Sequence, residues 1–172
     1  MQAIDALPST HLRAVSSLYR TAPIESSGPD YVNAVVAVET TLSPLALLHA
    51  VQAIENAAGR ERPYRNAPRT LDIDVLCHGT TCQCTPELEL PHPRMMERAF
   101  VLVPLAEIAP HLVPPDRLAA VQGQGIVRIV SDIKNGSVPA SNVEFGLKDT
   151  DVIKFTYNDA ATRPVPADLR KT

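Results

Sequence analysis

The stretch that most limits the fold is Leu71–Val75, LDIDV, which follows an arginine-rich run. Apolar and acidic residues alternate with a period of two, so the segment reads as a strand. Asp72 and Asp74 then project from one face of a sheet, with Leu71, Ile73 and Val75 on the other. Side-by-side carboxylates repel unless a cation lies between them. Hard divalent ions such as Mg²⁺ bind carboxylate oxygens and commonly keep phosphate oxygens as further ligands. Just upstream, Arg60, Arg62, Arg65 and Arg69 fall within ten residues, interrupted by Pro63 and Pro68. Guanidinium groups match phosphate oxygens in planar, two-pronged geometry. Taken alone, an Asp-x-Asp strand is more often a solvated face, and an arginine run is often plain surface charge. Their adjacency points to a site for a polyphosphate and its metal.

The rest of the chain supplies a frame for that strand. With 172 residues and 45% apolar content, one domain can build a core. Leu12–Tyr19 and Tyr31–Thr40 read as strands. Ser43-Pro44 opens a helix that runs to about Ala58 and ends at Gly59. Thr70–Cys77 is the acidic strand, and a second helix is expected from Pro93 or Arg94, carrying Met95, Met96, Phe100, Val101 and Leu105. The order strand, strand, helix, strand, helix, after a helical remnant at residues 1–7, is a ferredoxin-like α/β plan lacking its opening strand.

Several function classes drop out on composition. A net charge of −3 argues against a nucleic-acid binder. No apolar run is long enough to span a membrane, and Met1–Arg13 lacks the pattern of a signal peptide, so a cytoplasmic location is expected. Cys77, Cys82 and Cys84 form an odd, clustered set that makes a poor disulfide framework. With His78 they offer zinc-ligand chemistry, but the spacing fits no standard knuckle, and small buried hydrophobes are the favoured reading.

Four segments carry a resemblance: SSLYRTAPI at 16–24, GPDYVNAVVAVET at 28–40, IENAAGRERPYRNAPRTLDIDVL at 54–76, and LPHPRMMERAFVLVPLAEIAPHLVPPD at 90–116. In this order they resemble the 6-hydroxymethyl-7,8-dihydropterin pyrophosphokinases of folate synthesis. The resemblance implies a ferredoxin-like α/β sandwich and transfer of pyrophosphate from ATP to the pterin's hydroxymethyl group, with two Mg²⁺ ions and a monomeric protein. It makes Asp72 and Asp74 the metal ligands and Arg60 and Arg69 ATP-phosphate contacts. Arg62 and Arg65 belong to a catalytic loop over the site. His92, with Arg98 beside it, matches an ATP contact, and Glu55 a glutamate near the nucleotide. Thr21, Ala22, Pro23 and Ile24 line the pterin pocket. Tyr31 and Asn33 share that pocket, and Phe100 stacks on the ring.

The resemblance covers residues 1–129, lacking a first strand and a Gly-Ser-Asn turn that open the family. That strand belongs in the centre of the sheet, beside Asp72 and Asp74. Residues 130–172 read as an appended tail. All four lysines, Lys134, Lys148, Lys154 and Lys171, lie there, whereas residues 1–129 hold ten arginines and no lysine. Asp151–Tyr157, DVIKFTY, is the tail's best strand; it is expected to pair as an extra one, and the tail is the only spare material that could replace the missing strand. The competing reading is a non-catalytic remnant that binds Mg-ATP or a partner only.

Overall fold

The computed structural model describes residues 2–22, 30–58, 71–129 and 151–158, with 155–158 described by backbone alone. In chain order the elements are α1 (Gln2–Asp5), β1 (Thr10–Val15), β2 (Tyr19–Thr21), β3 (Tyr31–Thr40), α2 (Pro44–Ala57), β4 (Leu71–Cys77), β5 (Gln83–Cys84), β6 (Glu89–Leu90), α3 (Ala99–Ile108), α4 (Pro115–Ala120), β7 (Ile126–Arg128) and β8 (Asp151–Asn158). Single 3-10 turns lie at Met95–Glu97 and Pro110–Leu112.

Six strands make one sheet in the order β4-β8-β3-β2-β7, with β1 also on β3. The strand expected from Leu12 to Tyr19 is in fact two. Ser16 interrupts it: its Oγ accepts the Val35 N–H at 2.9 Å, and its own N–H donates to the Val35 carbonyl at 2.9 Å. The break lets one strand follow β3 along its full length, with β1 opposite residues 36–40 and β2 opposite residues 31–33.

β8 supplies the replacement for the missing strand that the tail had material for. It is no peripheral addition, because it pairs antiparallel with β3 on one side and β4 on the other. β3 and β4 therefore run in the same direction, joined through α2, with β8 inserted between them. This is the split β-α-β unit of a ferredoxin-like sheet. The central place that the sequence reading left empty is filled by residues 151–158. Backbone groups on β3 and β4 that would be costly to leave unpaired meet partners there.

Two cores flank the sheet. Ile4, Val36, Val38, Leu47, Val51, Ile73, Val75 and Ile153 join α1 and α2 on one face. Val35, Leu76, Met95, Leu102, Leu105 and Val152 join α3 on the other. Strand parity explains the division: Val152 and Ile153 point to opposite faces, as do Val35 and Val36. β3 is buried continuously from Asn33 to Val38, as a strand covered on both faces requires.

Helix α2 begins as its sequence predicts, with Ser43 Oγ accepting the Ala46 N–H at 3.3 Å and Pro44 in the first turn. Helix α3 starts later than its sequence suggests, at Ala99 rather than near Pro93. Arg98 is extended (φ −121°, ψ 120°) and ends the preceding turn. The cap comes from a distant residue: Gln124 Oε1 accepts the Ala99 N–H at 2.9 Å, and Gln124 Nε2 donates to the Glu97 carbonyl at 2.8 Å. No local capping residue marks this start.

Candidate active site on the α3 face of the sheet

The alternation that opened the sequence reading now has a geometry. Asp72 and Asp74 point to the same face of β4 as Leu76, the α3 face. Across the sheet, Asp74 pairs with Lys154, and Lys154 in turn pairs with Val35. In the next row Asp72 lies opposite residue 156, which also faces Asn33. Asp72, Asp74, Lys154 and Asn33 therefore share one face, with the carboxylates and Asn33 about 10 Å apart, two strand spacings.

Lys154 dominates the charge balance. Its Nζ donates to Asp74 Oδ2 at 2.7 Å and lies 3.8 Å from Asp72 Oδ2. The lysine side chain is only 3% exposed, while those of Asp72 and Asp74 remain 29% and 28% exposed. Burial alone would push the Asp74 carboxyl up. The charge and hydrogen bond of Lys154, aided by His92 and Arg98, outweigh it and hold Asp74 below the usual range.

Residues after β4 close one side of the site. The His92 N–H donates to the Leu76 carbonyl at 2.8 Å, which fixes the Pro-His-Pro turn beside β4. Burial, with Arg98 and Lys154 nearby, lowers the His92 pKa despite the opposing pull of Asp74. Phe100, on the first turn of α3, receives two cations over its ring. Arg98 lies 5.4 Å and Lys154 Nζ 5.2 Å from the centroid. Asp72, Asp74, His92, Arg98, Phe100 and Lys154 thus form one cluster.

On the β3 side, Asn33 is buried, and its Nδ2 donates to Thr21 Oγ1 at 2.9 Å across the β2–β3 pair. Tyr31 stands two residues before Asn33 on β3 and is half-buried. Ala22 follows β2 and is exposed. Glu55 lies elsewhere. It is buried on α2, on the opposite face of the sheet, and its Oε1 accepts the Ile73 N–H at 3.0 Å. Its described bond secures the outer edge of β4. Pro23, Ile24, Arg60, Arg62, Arg65 and Arg69 lie outside the described residues. Among the cysteines, Cys77 faces the core against Met95 Sδ at 3.8 Å, whereas Cys82 and Cys84 are exposed.

Lys154 is the site residue that the sequence reading passed over. The signal was present: it is the one cation inside DVIKFTYN, with Ile153 and Phe155 on either side. Its meaning depended on knowing that this strand lies between β3 and β4.

Could the pair hold a metal? The oxygen donors are of the right type for Mg²⁺. The space between them is taken by an ammonium, and no group of three or more His, Cys, Asp or Glu converges among the described residues. With Lys154 in place, a divalent ion does not fit.

A split β-α-β sheet, with paired carboxylates and cationic side chains gathered on one face, defines a ferredoxin-like α/β protein whose site suits an anionic ligand. The chain belongs to the 7,8-dihydro-6-hydroxymethylpterin-pyrophosphokinase family, whose model matches residues 1–110. It is 46% identical over 136 residues to the 2-amino-4-hydroxy-6-hydroxymethyldihydropteridine pyrophosphokinase of Pseudomonas aeruginosa, covering 75% of this chain and 84% of that one. The Haemophilus influenzae enzyme of the same name is 48% identical over 117 residues, covering 67% and 73%. That of Bacillus subtilis is 41% identical over 113 residues, covering 65% and 68%.

Proposed function

We propose that this chain transfers pyrophosphate from ATP to the hydroxymethyl group of 6-hydroxymethyl-7,8-dihydropterin, a step of folate biosynthesis. The pterin's hydroxyl oxygen attacks the β-phosphorus of ATP, the bond between that phosphorus and the α–β bridging oxygen breaks, AMP departs, and the hydroxyl proton is released. The observation that carries this reading is family membership over the same residues that place Asp72, Asp74, His92, Arg98 and Phe100 in one cluster.

In phosphoryl transfer the protein mainly positions reactants and balances charge. Asn33, held by Thr21, offers an amide to the pterin's hydrogen-bonding edge, with Tyr31 and Ala22 at the same end of β2 and β3. Phe100 offers a ring face. His92 and Arg98 face the nucleotide, and Arg60, Arg62, Arg65 and Arg69, which lie outside the described residues, keep the phosphate-contact and catalytic-loop roles that the family resemblance gives them. Glu55 acts through β4, as a positioning residue. Asp72 and Asp74 would hold the Mg²⁺ that accompanies ATP only with Lys154 withdrawn from them, and the ion would then supply neutralisation of charge on the triphosphate.

A second reading is favoured by one observation: Lys154 already neutralises the carboxylates. On that reading the chain holds nucleotide weakly and does not turn over. AMP release from Mg-ATP, measured with and without the hydroxymethyl-pterin, separates the two. Pterin-dependent AMP eliminates the non-catalytic reading. Nucleotide binding with no such AMP eliminates the enzyme.

A further inference from the structure

We infer that Lys154 is the residue that sets the cation affinity of the site: its ammonium is a tethered competitor for the Asp72–Asp74 pair. A divalent ion binds there only after that ammonium withdraws. The inference rests on reading the two aspartates as the metal-binding pair.

Three observations converge on it. The ammonium is hydrogen-bonded to Asp74 at 2.7 Å and lies 3.8 Å from Asp72, so a positive charge already neutralises the pair. It is delivered by β8, a strand hydrogen-bonded on both sides, so its backbone is fixed opposite Asp74. Withdrawal of the ammonium therefore needs only rotation of its four-carbon stem, and an aromatic face lies beside it. Phe100's ring lies 5.2 Å from the ammonium and attracts a cation through its π face. The carboxylates, in contrast, are partly open to solvent and hence to dissolved ions. A lysine is a compact point charge and cannot coordinate phosphate oxygens and carboxylates as a metal does. While it occupies the pair, it excludes the ion without supplying that bridge.

The test is metal binding in the absence of nucleotide. Mn²⁺ is titrated into the full chain and into Lys154→Met, with free ion followed by electron paramagnetic resonance. Lys154→Met is expected to bind Mn²⁺ at least about tenfold tighter, and a further Asp74→Asn change is expected to remove the gain. Equal affinity in the wild type and Lys154→Met overturns the competition while leaving the metal pair intact. No Mn²⁺ binding to either protein overturns the metal pair and the competition with it. Should Lys154→Met fail to fold, the wild type suffices. Its buried ammonium, identified by proximity to the Phe100 ring in NMR spectra, is expected to lose its carboxylate contact as Mg²⁺ is added. An unmoved ammonium with Mg²⁺ bound at Asp74 overturns the inference.

Discussion

Strand β8 carries two buried charges three residues apart, and they are held very differently. Asp151 faces the α2 side, where His78 Nδ1 lies 3.3 Å from its Oδ1 and the backbone N–H groups of Gly79 and Thr40 donate to it. His78 is fixed in turn, its Nε2–H donating to the Leu42 carbonyl at 2.9 Å. Gly79 turns the chain just after β4 at φ +51°, in the left-handed region that favours glycine. Lys154 faces the α3 side and, among the described residues, meets side chains: two aspartates and one ring. One charge is tied into backbone and turn geometry, and the other reaches a solvent-accessible pair on a flexible stem. A charge wired into the backbone serves as a fastener, whereas one that meets side chains alone can be exchanged.

The sharpest way to break this comparison is through turnover. Asp74→Ala removes a carboxylate from the proposed reaction centre, and AMP formation should fall by about a thousandfold. Asp151→Asn, an isosteric change on the other face, should leave turnover within about twofold at temperatures where the protein is folded. Comparable losses in both variants would erase the distinction between the two ends of β8.

Stability should rank the two sites in the opposite order. Asp151→Ala leaves the His78 ring and two backbone donors without their acceptor, at a cost of roughly 3 kcal/mol. Asp72→Asn keeps most of its contacts, is partly exposed, and should cost under about 1 kcal/mol. Urea unfolding midpoints measure both. A larger loss in Asp72→Asn would mean that the fastening role lies on the α3 face.

Cysteine reactivity reports on the same region. Burial, and secondarily the Asp151 carboxylate, pushes the Cys77 thiol up to about 11. At pH 8 only about one in a thousand such thiols is ionised. Alkylation of Cys77 should lag the exposed Cys82 and Cys84 by about a hundredfold or more, as mass spectrometry of labelled peptides can follow. Asp151→Ala should narrow the gap by loosening the end of β8 that covers Cys77.

How much of this was legible beforehand follows from the range of each interaction. β3, α2 and β4 carried their own signals: β-branched runs, a Ser-Pro start and strict alternation. The pairing of Asp72 with Asp74 was likewise local, because it rests on spacing within a single strand. The start of α3 was not, because Gln124 caps it from 25 residues away. The break at Ser16 was hidden for the same reason, since its bonds go to Val35. The place of β8 was the hardest to foresee. Its strand character was plain, but only long-range register decides whether a strand lies at an edge or between β3 and β4, and register fixes Lys154 opposite Asp74. Glu55 shows the converse: a residue matched to a family pattern lies on the far face, where its described bond holds the backbone of β4.

The smallest expected effect is a difference in pH dependence. Burial raises the Asp151 pKa, and His78, Gly79 and Thr40 only partly offset it. In the window between the unfolded and folded values, the native state binds more protons than the unfolded one. Stability from this group is therefore fully present below the unfolded value, near 4, and declines as pH rises through the folded one. Asp151→Asn removes that proton, so its stability relative to wild type should increase from pH 4 upward and then level off. The groups facing Asp151 are His78 and two backbone amides, and the slope belongs to this carboxyl. Urea midpoints at successive pH values read it directly. A wild type that gains on Asp151→Asn across the same window would mean that the His78 contact, and not burial, governs the pair, and that this end of β8 is held by charge as the Lys154 end is.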